Sequence, residues 1–193
     1  MMAAKKKLLP PQEAKVLLHS CCAPCSCAIM EALSASGLDY LVFFFNPNIF
    51  PRDEYLRRKD ENLRFANRIG ARFVDADADH AVWAEATKGL EDEPERGRRC
   101  AACFDLRLGA AADYAVEHGF TLFTSSLGIS RWKDFDQVTA SGLKAASRHP
   151  NLTYWAINWR KDGRQLRMSE LIKAENLYQQ TYCGCPPSMT SQA

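Results

Sequence analysis

The chain has 193 residues, of which 47% are apolar and 25% charged, enough for one α/β domain with its own core rather than two. No run approaches the roughly 18 apolar residues that span a bilayer, and no apolar core follows the N-terminal lysines as in a secretory signal, so we expect a cytoplasmic protein with no membrane partner. A net charge of +2 does not mark a dedicated nucleic-acid binder, although it allows a local basic patch.

Apolar runs and amphipathic segments alternate along the chain. The apolar runs predict five strands, at residues 16–19, 40–45, 72–74, 120–124 and 153–157. The amphipathic segments predict six helices, at residues 28–36, 52–69, 80–90, 103–118, 133–147 and 169–178. This alternation favours a mostly parallel sheet with helices on both faces and its sites at the carboxyl ends of the strands. Residues 1–12 are expected to form a disordered basic tail, and residues 13–193 a single catalytic α/β domain with a cysteine-bearing C-terminal segment.

Cysteine is the residue type that stands out, with eight in the chain. Without an export signal these thiols are expected to stay reduced, so metal ligation or redox chemistry is their expected role. Cys21 and Cys22 follow the first strand, and Cys100 and Cys103 lie where a helix opens. Helix N-termini stabilise thiolates, and four thiolates satisfy either tetrahedral zinc or a [4Fe–4S] cluster. The spacing leaves both open, although adjacent cysteines are atypical of a zinc ribbon.

Three other cysteines need separate accounts. Cys25, three residues after Cys22, is a candidate spare ligand, with packing as a small apolar residue as the alternative. Cys183 and Cys185 are separated by one residue, so a disulfide between them would close a small ring. Such a bridge suits a reversible two-electron carrier, and a second metal site is the competing interpretation.

Five motifs in this order resemble epoxyqueuosine reductase QueH, the cobalamin-independent type, over residues 15–188. They are Leu17-Leu18-His19-Ser20-Cys21-Cys22-Ala23-Pro24-Cys25, Phe44-Phe45-Asn46-Pro47-Asn48-Ile49, Arg99-Cys100-Ala101-Ala102-Cys103-Phe104, Phe123-Thr124-Ser125-Ser126-Leu127 with Ser130 and Lys133, and Tyr182-Cys183-Gly184-Cys185. A lone pair of cysteines would be a weak signal, whereas the ordered set is specific. The expected fold is Rossmann-like, of the adenine nucleotide alpha hydrolase or HUP type, with the cluster at the carboxyl ends of the strands.

The resemblance implies two-electron deoxygenation of the epoxide of epoxyqueuosine at the wobble position of a tRNA, giving queuosine as the last step of that modification. It implies that Cys21, Cys22, Cys100 and Cys103 hold a [4Fe–4S] cluster. It also implies an additional metal ion, for which Cys25 is the tentative ligand. An electron donor is required, and the sequence does not identify it.

The resemblance further implies that Cys183 and Cys185 form a redox-active disulfide. Reduction of an epoxide also needs a proton for the departing oxygen, and Tyr182 is the tentative donor because it adjoins Cys183. His19 and Lys133 are the other candidates by residue type. A structural role is favoured for His19, and phosphate pairing or helix capping competes for Lys133.

The tRNA requires basic and stacking surfaces. Arg160, Lys161 and Arg164 form the tentative RNA-binding cluster, with a solvated face as the competing interpretation. Trp132 and Trp159 are candidates for stacking on splayed bases, and core packing is equally compatible with the sequence.

Two other classes of protein stay open. A zinc-stabilised, non-catalytic RNA-binding module would use the same cysteines without any role for Cys183 and Cys185. A nucleotide-dependent tRNA-thiolating enzyme requires a glycine-rich phosphate loop after its first strand. Cys21-Cys22-Ala23-Pro24 occupies that place, which disfavours ATP cleavage.

Overall fold

The fold is a three-layer α/β structure around a single parallel sheet. The computed structural model describes residue 10 and residues 13–76 and 78–190. The strands are β1 Val16–His19, β2 Tyr40–Phe44, β3 Arg72–Asp75, β4 Leu122–Ser125 and β5 Thr153–Tyr154. The helices are α1 Ala23–Ala35, α2 Arg52–Arg68, α3 His80–Ala86, α4 Arg98–Glu117, α5 Phe135–Ala146, α6 Arg164–Ala174 and α7 Pro186–Thr190. A 3₁₀ turn, Ser126–Ile129, follows β4 directly.

The sheet order is β3-β2-β1-β4-β5, and every pairing is parallel. β1 is the central strand of the sheet. All four of its residues are fully buried, as expected for a strand covered on both faces. Leu17 and Leu18 each contribute about 1.5–3 kcal/mol through burial. The order reverses between β1 and β4, so the carboxyl ends of these two strands form the topological switch point.

Each face of the sheet carries its own helix layer. Val16, Leu18 and Val42 pack with residues of α1, α2 and α6, whereas Leu17 and Leu41 pack with residues of α4 and α5. The alternation follows from the two-residue period of a strand. The predicted parallel α/β fold with helices on both faces is confirmed.

Helix starts depart most from the sequence-based prediction. α1 begins at Ala23 rather than residue 28, because Pro24 is compatible with the first turn of a helix. α4 begins at Arg98 with Gly97 as its N-cap, so Cys100 and Cys103 lie inside a helix of 20 residues. Pro94 and Gly97 had suggested a longer loop.

At the C-terminal end, the last long helix is Arg164–Ala174 instead of 169–178, and it follows Gly163 in the left-handed conformation. The short α7 was not predicted. Apart from residue 10, the predicted tail at residues 1–12 lies outside the described residues, so its boundary stays a prediction. Among the described helices, none combines the length and apolar character needed to cross a membrane.

Candidate functional site

A cavity of about 780 Å³ opens at the switch point of the sheet. Its walls come from the segments that follow β1, β2 and β4, from α6, and from the C-terminal segment. Residues that lead off the carboxyl ends of parallel strands therefore face one space, as expected for an open α/β sheet. The polar and sulfur-bearing residues of the predicted motifs line it, namely Cys21, Cys22, Cys25, Asn46, Asn48, Arg107, Lys133, Tyr182 and Cys183.

The first sulfur group consists of Cys21, Cys22 and Cys25, whose Sγ atoms all lie within 4.8 Å of one another. Cys22 is the N-cap of α1, and Cys25 lies in its first turn, so the start of the helix brings the three together. The hydroxyl of Ser126 accepts a hydrogen bond from the Cys21 backbone N–H at 3.0 Å and donates one to Cys21 Sγ at 3.3 Å. Gln180 Nε2 donates to Cys22 Sγ at 3.0 Å.

The three thiols differ in acidity. Hydrogen bonds from Cys22 and Cys25 hold the pKa of Cys21 well below its usual range, and the nearby charge of Arg107 adds to this. The same contacts with Cys21 raise the pKa of Cys22 and of Cys25. The group is therefore one thiolate with two supporting thiols, which is a donor set suited to a cation or a metal cluster.

The second sulfur group consists of Cys100, Cys103, Cys183 and Cys185, which surround a small cavity of about 10 Å³. Cys100 and Cys103 come from the first two turns of α4, and Cys103 packs with Cys185 and Trp83. Burial raises the pKa of both Cys100 and Cys103. Both thiols are thus held neutral by a dry environment until a metal or another charge compensates them.

Cys183 and Cys185 are an unequal pair. The hydrogen bond from Cys185 holds the pKa of Cys183 well below its usual range, and the charge of Lys133 adds to the effect. The same contact, together with burial, raises the pKa of Cys185. Cys183 lines both cavities, whereas Cys185 lines only the smaller one. The lowered pKa therefore belongs to the sulfur that lines the large cavity, and the raised pKa belongs to the sulfur that lines only the smaller one.

The C-terminal segment is held in place by the buried ion pair of Arg58 and Glu54, at 2.7 Å. Arg58 Nη1 donates to the carbonyl of Cys183 at 2.9 Å, and Nη2 donates to the carbonyl of Tyr182 at 3.1 Å. Gly184 has a φ of +125°, and a Cβ atom there would lie 3.0 Å from Ile49. Glycine is therefore the residue that fits between the two cysteines.

Arg107 connects the two sulfur groups. Its side chain is 2% exposed, Nη1 lies 4.0 Å from Cys103 Sγ, and Nη2 donates to the side-chain oxygen of Asn46. Within the part of the chain that the structure describes, no carboxylate lies within ion-pair distance of it. Its charge acts to lower the pKa of Cys21, Cys103 and Cys183, although burial outweighs this effect at Cys103. A buried cation without a carboxylate, set among thiols, matches an anionic iron–sulfur group.

The predicted cluster ligands are divided between these groups. Cys21 and Cys22 lie with Cys25, whereas Cys100 and Cys103 lie beside Cys183, and Arg107 is next to both sets. The four-cysteine assignment fits the donor chemistry and the compensating charge, and it stays a prediction. Cys25 belongs to the more compact set, which keeps it as a candidate ligand.

Two of the candidate proton donors are already engaged. The hydroxyl of Tyr182 donates to the carbonyl of Phe50. His19 Nε2 must donate to the carbonyl of Phe45 at 3.3 Å, so Nδ1 accepts from Ser125 Oγ at 2.8 Å. Burial lowers the pKa of His19 to about 3, which keeps the ring neutral. Both side chains therefore stabilise the walls of the site, and Tyr182 as a proton donor stays a prediction.

The predicted RNA-binding residues separate by exposure. Arg160 Nη2 donates to the carbonyls of Ser130 and Lys133, so this guanidinium holds the loop after β4. Arg164 lies 3.3 Å from an oxygen of Asp162. Lys161 is exposed and has no ion-pair partner among the described residues.

The two candidate stacking residues also differ. Trp159 is 1% exposed and its Nε1 donates to Thr124, so it belongs to the core. Trp132 is 62% exposed at the rim of the large cavity, with the Arg131 guanidinium 4.8 Å from its ring centroid.

Sequence reasoning assigned no role to Arg107, Asn46 or Gln180. Arg107 follows Cys103 by four residues, one turn of helix, and this spacing is a signal that it shares a face with the cysteine. The contacts of Asn46 and Gln180 join segments far apart in the chain, and no local pattern indicates them.

These features define an α/β protein with a sulfur-lined cavity at the switch point of a parallel sheet. The profile of the family described as "Epoxyqueuosine reductase QueH" matches residues 16–191. This chain belongs to that family.

Several relatives carry the family's name, epoxyqueuosine reductase QueH. One from Histophilus somni is 55% identical over 181 residues, which cover 94% of this chain and 74% of the relative. One from Haemophilus influenzae is 54% identical over 185 residues, covering 96% and 76%. One from Acinetobacter baylyi is 54% identical over 184 residues, covering 95% and 84%.

A solved structure also resembles the fold. It is the U34-tRNA thiolase NcsA from Methanococcus maripaludis with its [4Fe–4S] cluster, at a TM-score of 0.59 and 14% identity. The match covers 92% of this chain and 62% of that one. At this identity the likeness supports the Rossmann-like sheet alone.

Proposed function

We propose that this chain is a cytoplasmic, cobalamin-independent, iron–sulfur epoxyqueuosine reductase. It removes the epoxide oxygen of epoxyqueuosine in tRNA by a two-electron reduction and gives queuosine. Family membership and the names of relatives that are 54–55% identical support the activity. The observation that carries the proposal is geometric: Cys183, one residue away from Cys185, lines the same cavity as Cys21, Cys22 and Cys25.

A [4Fe–4S] cluster held by Cys21, Cys22, Cys100 and Cys103 would supply single electrons when bound. Because four cysteines leave no iron of the cluster open, the Lewis acid would be the additional metal ion. Arg107 would compensate the negative charge of the cluster, and the Ser126 and Gln180 hydrogen bonds to sulfur would tune its electronic properties. Cys25, within 4.8 Å of both Cys21 and Cys22, would be the ligand of the additional metal ion.

Cys183 and Cys185 supply the electrons of the net reaction. Their sulfurs join in a disulfide, which releases two electrons and, counted from the dithiol, two protons. The epoxide takes up both electrons and both protons, its two C–O bonds break, a C=C bond forms and the oxygen leaves as water. An external electron donor then returns the disulfide to the dithiol.

The exposed residues at the rim of the cavity suit the RNA partner. Trp132 presents a flat ring beside the cationic Arg131 at this rim, and Lys161, outside the residues that line the cavity, adds an exposed charge. Aromatic rings and guanidinium groups stack on unpaired bases, and free cations pair with phosphates. Arg160 and Arg164 are already engaged within the protein, so their part in RNA binding is to hold this rim in shape.

A zinc-stabilised RNA-binding module is the second candidate. Three sulfurs within 4.8 Å of one another also fit a single tetrahedral zinc ion. That alternative gives no use to a low-pKa thiolate at Cys183. Nucleotide-dependent tRNA thiolation is disfavoured because Pro24 and the cysteines occupy the place of a glycine-rich phosphate loop after β1.

Cofactor content separates these candidates. Purified without oxygen, the protein is expected to be brown with about four iron and four sulfide per chain. Cys21→Ser and Cys100→Ser should lose the colour, Cys25→Ser should lose only the additional metal, and Cys183→Ser should keep the full iron content. A colourless protein with one zinc and no iron would contradict the proposal and support the RNA-binding module.

A further inference from the structure

Lys133 is a buried cation on the wall shared by the two cavities. Its side chain is 8% exposed, which is unusual for lysine, and its Nζ lies 2.8 Å from Oε1 of Glu95. The ammonium also lies beside the sulfur of Cys183. Among the described residues, Lys133, Cys183 and Asn48 are the three that line both cavities. The ammonium is thus placed between the reducing sulfur and the space that admits the substrate.

The backbone around Lys133 is fixed on both sides. Its N–H donates to the carbonyl of Ser130 at 3.2 Å, and its carbonyl accepts from Arg160 Nη2 at 2.6 Å. Asp134, the next residue, is the N-cap of α5 and accepts from the backbone N–H of Gln137 at 2.9 Å. The backbone of Lys133 is therefore held in place, and its long side chain lines the large cavity.

Several other polar side chains of the cavity are poorly suited to donate a proton. Tyr182 donates its hydroxyl proton to a backbone carbonyl, and Arg58 and Arg107 are guanidinium groups that stay protonated in proteins. Asn48 and Gln180 are amides. Lys133 is the one ammonium group that lines the cavity among the described residues.

We propose that Lys133 donates a proton to the epoxide oxygen as its C–O bond breaks, in step with disulfide formation between Cys183 and Cys185. This inference rests on the proposed reductase function. One proton comes from the Lys133 ammonium and the other from the pair of Cys183 and Cys185, which carries one proton and one negative charge on its two sulfurs. The two sulfurs become a disulfide, two electrons pass to the substrate, and the oxygen leaves as water. Atoms, electrons and charge balance.

The charges around Lys133 couple the release of its proton to the oxidation of Cys183. Burial works against the charge on Lys133, but Cys183 and Glu95 together raise the pKa of the ammonium above its usual value. The charged and titratable groups that face it are Glu95, Cys183 and Cys100. When Cys183 enters a disulfide its negative charge disappears, so burial then favours release of the proton. Glu95 is 41% exposed and can return a proton from solvent to the neutral amine.

The test is the single-turnover rate of dithiol-reduced holoenzyme on tRNA carrying epoxyqueuosine. Lys133→Met should be slower by on the order of 100-fold or more. Lys133→Arg should also be slow, because a guanidinium keeps the charge but does not give up its proton. Added ethylammonium should accelerate Lys133→Met and leave the wild type unchanged. Lys144→Met, at an exposed position on α5, is the matched control and should keep the wild-type rate.

The outcomes separate this proposal from the function on which it rests. If the wild type forms no queuosine, the reductase function fails, and with it the role of Lys133. If the wild type is active, the Lys133 proposal is overturned by any of three results: a Lys133→Met rate within about threefold of wild type, a Lys133→Arg rate equal to wild type, or no response of Lys133→Met to ethylammonium. Iron content and tRNA affinity, measured on each variant, identify any that fails to fold.

Discussion

At the scale of single residues, His19 shows how a polar group is used to build the site rather than to react. The ring lies at the end of the central strand, where it bridges the carbonyl after β2 and the hydroxyl of Ser125 at the end of β4. It therefore ties three strand ends together beneath the cavity. Protonation would place a charge in this buried position and would reverse the contact with Ser125, because both nitrogens of a charged ring can only donate.

This arrangement predicts a loss of stability in mild acid. The folded pKa of His19 is about 3, whereas an unfolded histidine titrates near 6.5. Between these values the unfolded chain binds the additional proton. The free energy of unfolding should therefore decrease as the pH is lowered, by up to about 1.4 kcal/mol per pH unit. Urea unfolding of the holoprotein at pH 7, 6 and 5 measures this slope.

His19→Asn should reduce that slope, while His118→Asn, at an exposed position, should retain it because His19 is kept. Equal slopes in the wild type and His19→Asn would show that His19 does not govern the acid sensitivity.

Residue types that are rare and clustered could be assigned from the sequence. Six of the eight cysteines fall in three pairs, and the positions of two pairs, after a strand and at a helix start, are visible in the pattern of the chain. What the sequence did not reveal is how the sulfurs are grouped, since Cys25 joins Cys21 and Cys22 only because α1 begins at Ala23. The compensating charge of Arg107 was likewise hidden, because its lack of a carboxylate partner is a property of the folded interior.

At the scale of elements, α2 does more than cover the sheet. Glu54 and Arg58 lie one turn apart on its buried side, and the fork of the guanidinium binds two successive carbonyls of the segment that carries Cys183. The hydroxyl of Tyr178 donates to Glu54 at 2.9 Å and joins the same network. A segment with little regular structure is thereby given a fixed position beside α4.

Loss of Arg58 should both destabilise the protein and slow the reaction. Arg58→Met leaves Glu54 buried without its partner, which costs about 3–5 kcal/mol, and it frees the carbonyls of Tyr182 and Cys183. We expect a lower free energy of unfolding in urea and a slower single turnover. The control is Arg68→Met on the same helix, where the arginine is half exposed and its ion pair with Glu175 contributes about 0–1 kcal/mol. Equal effects of the two substitutions would mean that the buried pair does not position the segment.

The strands β1 and β2 were predictable because their apolar runs are continuous. The starts of α1 and α4 were less predictable. Pro24 and Gly97 indicate loops when each is considered alone, although proline is compatible with the first turn of a helix and glycine with the N-cap. β5 is only two residues long, and neighbouring β4 rather than its own sequence defines it.

At the scale of the whole molecule, the site exists because the strand order reverses between β1 and β4. Two segments separated by about a hundred residues in the chain meet there, and Cys21 bonds to Ser126 across the gap. The C-terminal segment closes the space from a third direction and brings Cys183 to face both cavities. The fold class followed from the alternation of elements, but this convergence depends on long-range packing, which no local pattern encodes.

The central claim is that Cys183 and Cys185 deliver the two electrons. The direct test is to reduce the holoprotein, remove the excess reductant, and mix it without oxygen with tRNA carrying epoxyqueuosine. We predict close to one queuosine per chain, with a disulfide between Cys183 and Cys185 in the recovered peptide, and no product from Cys183→Ser or Cys185→Ser variants that keep their iron. Product formed while both cysteines remain thiols, or full conversion by either serine variant, would contradict the account.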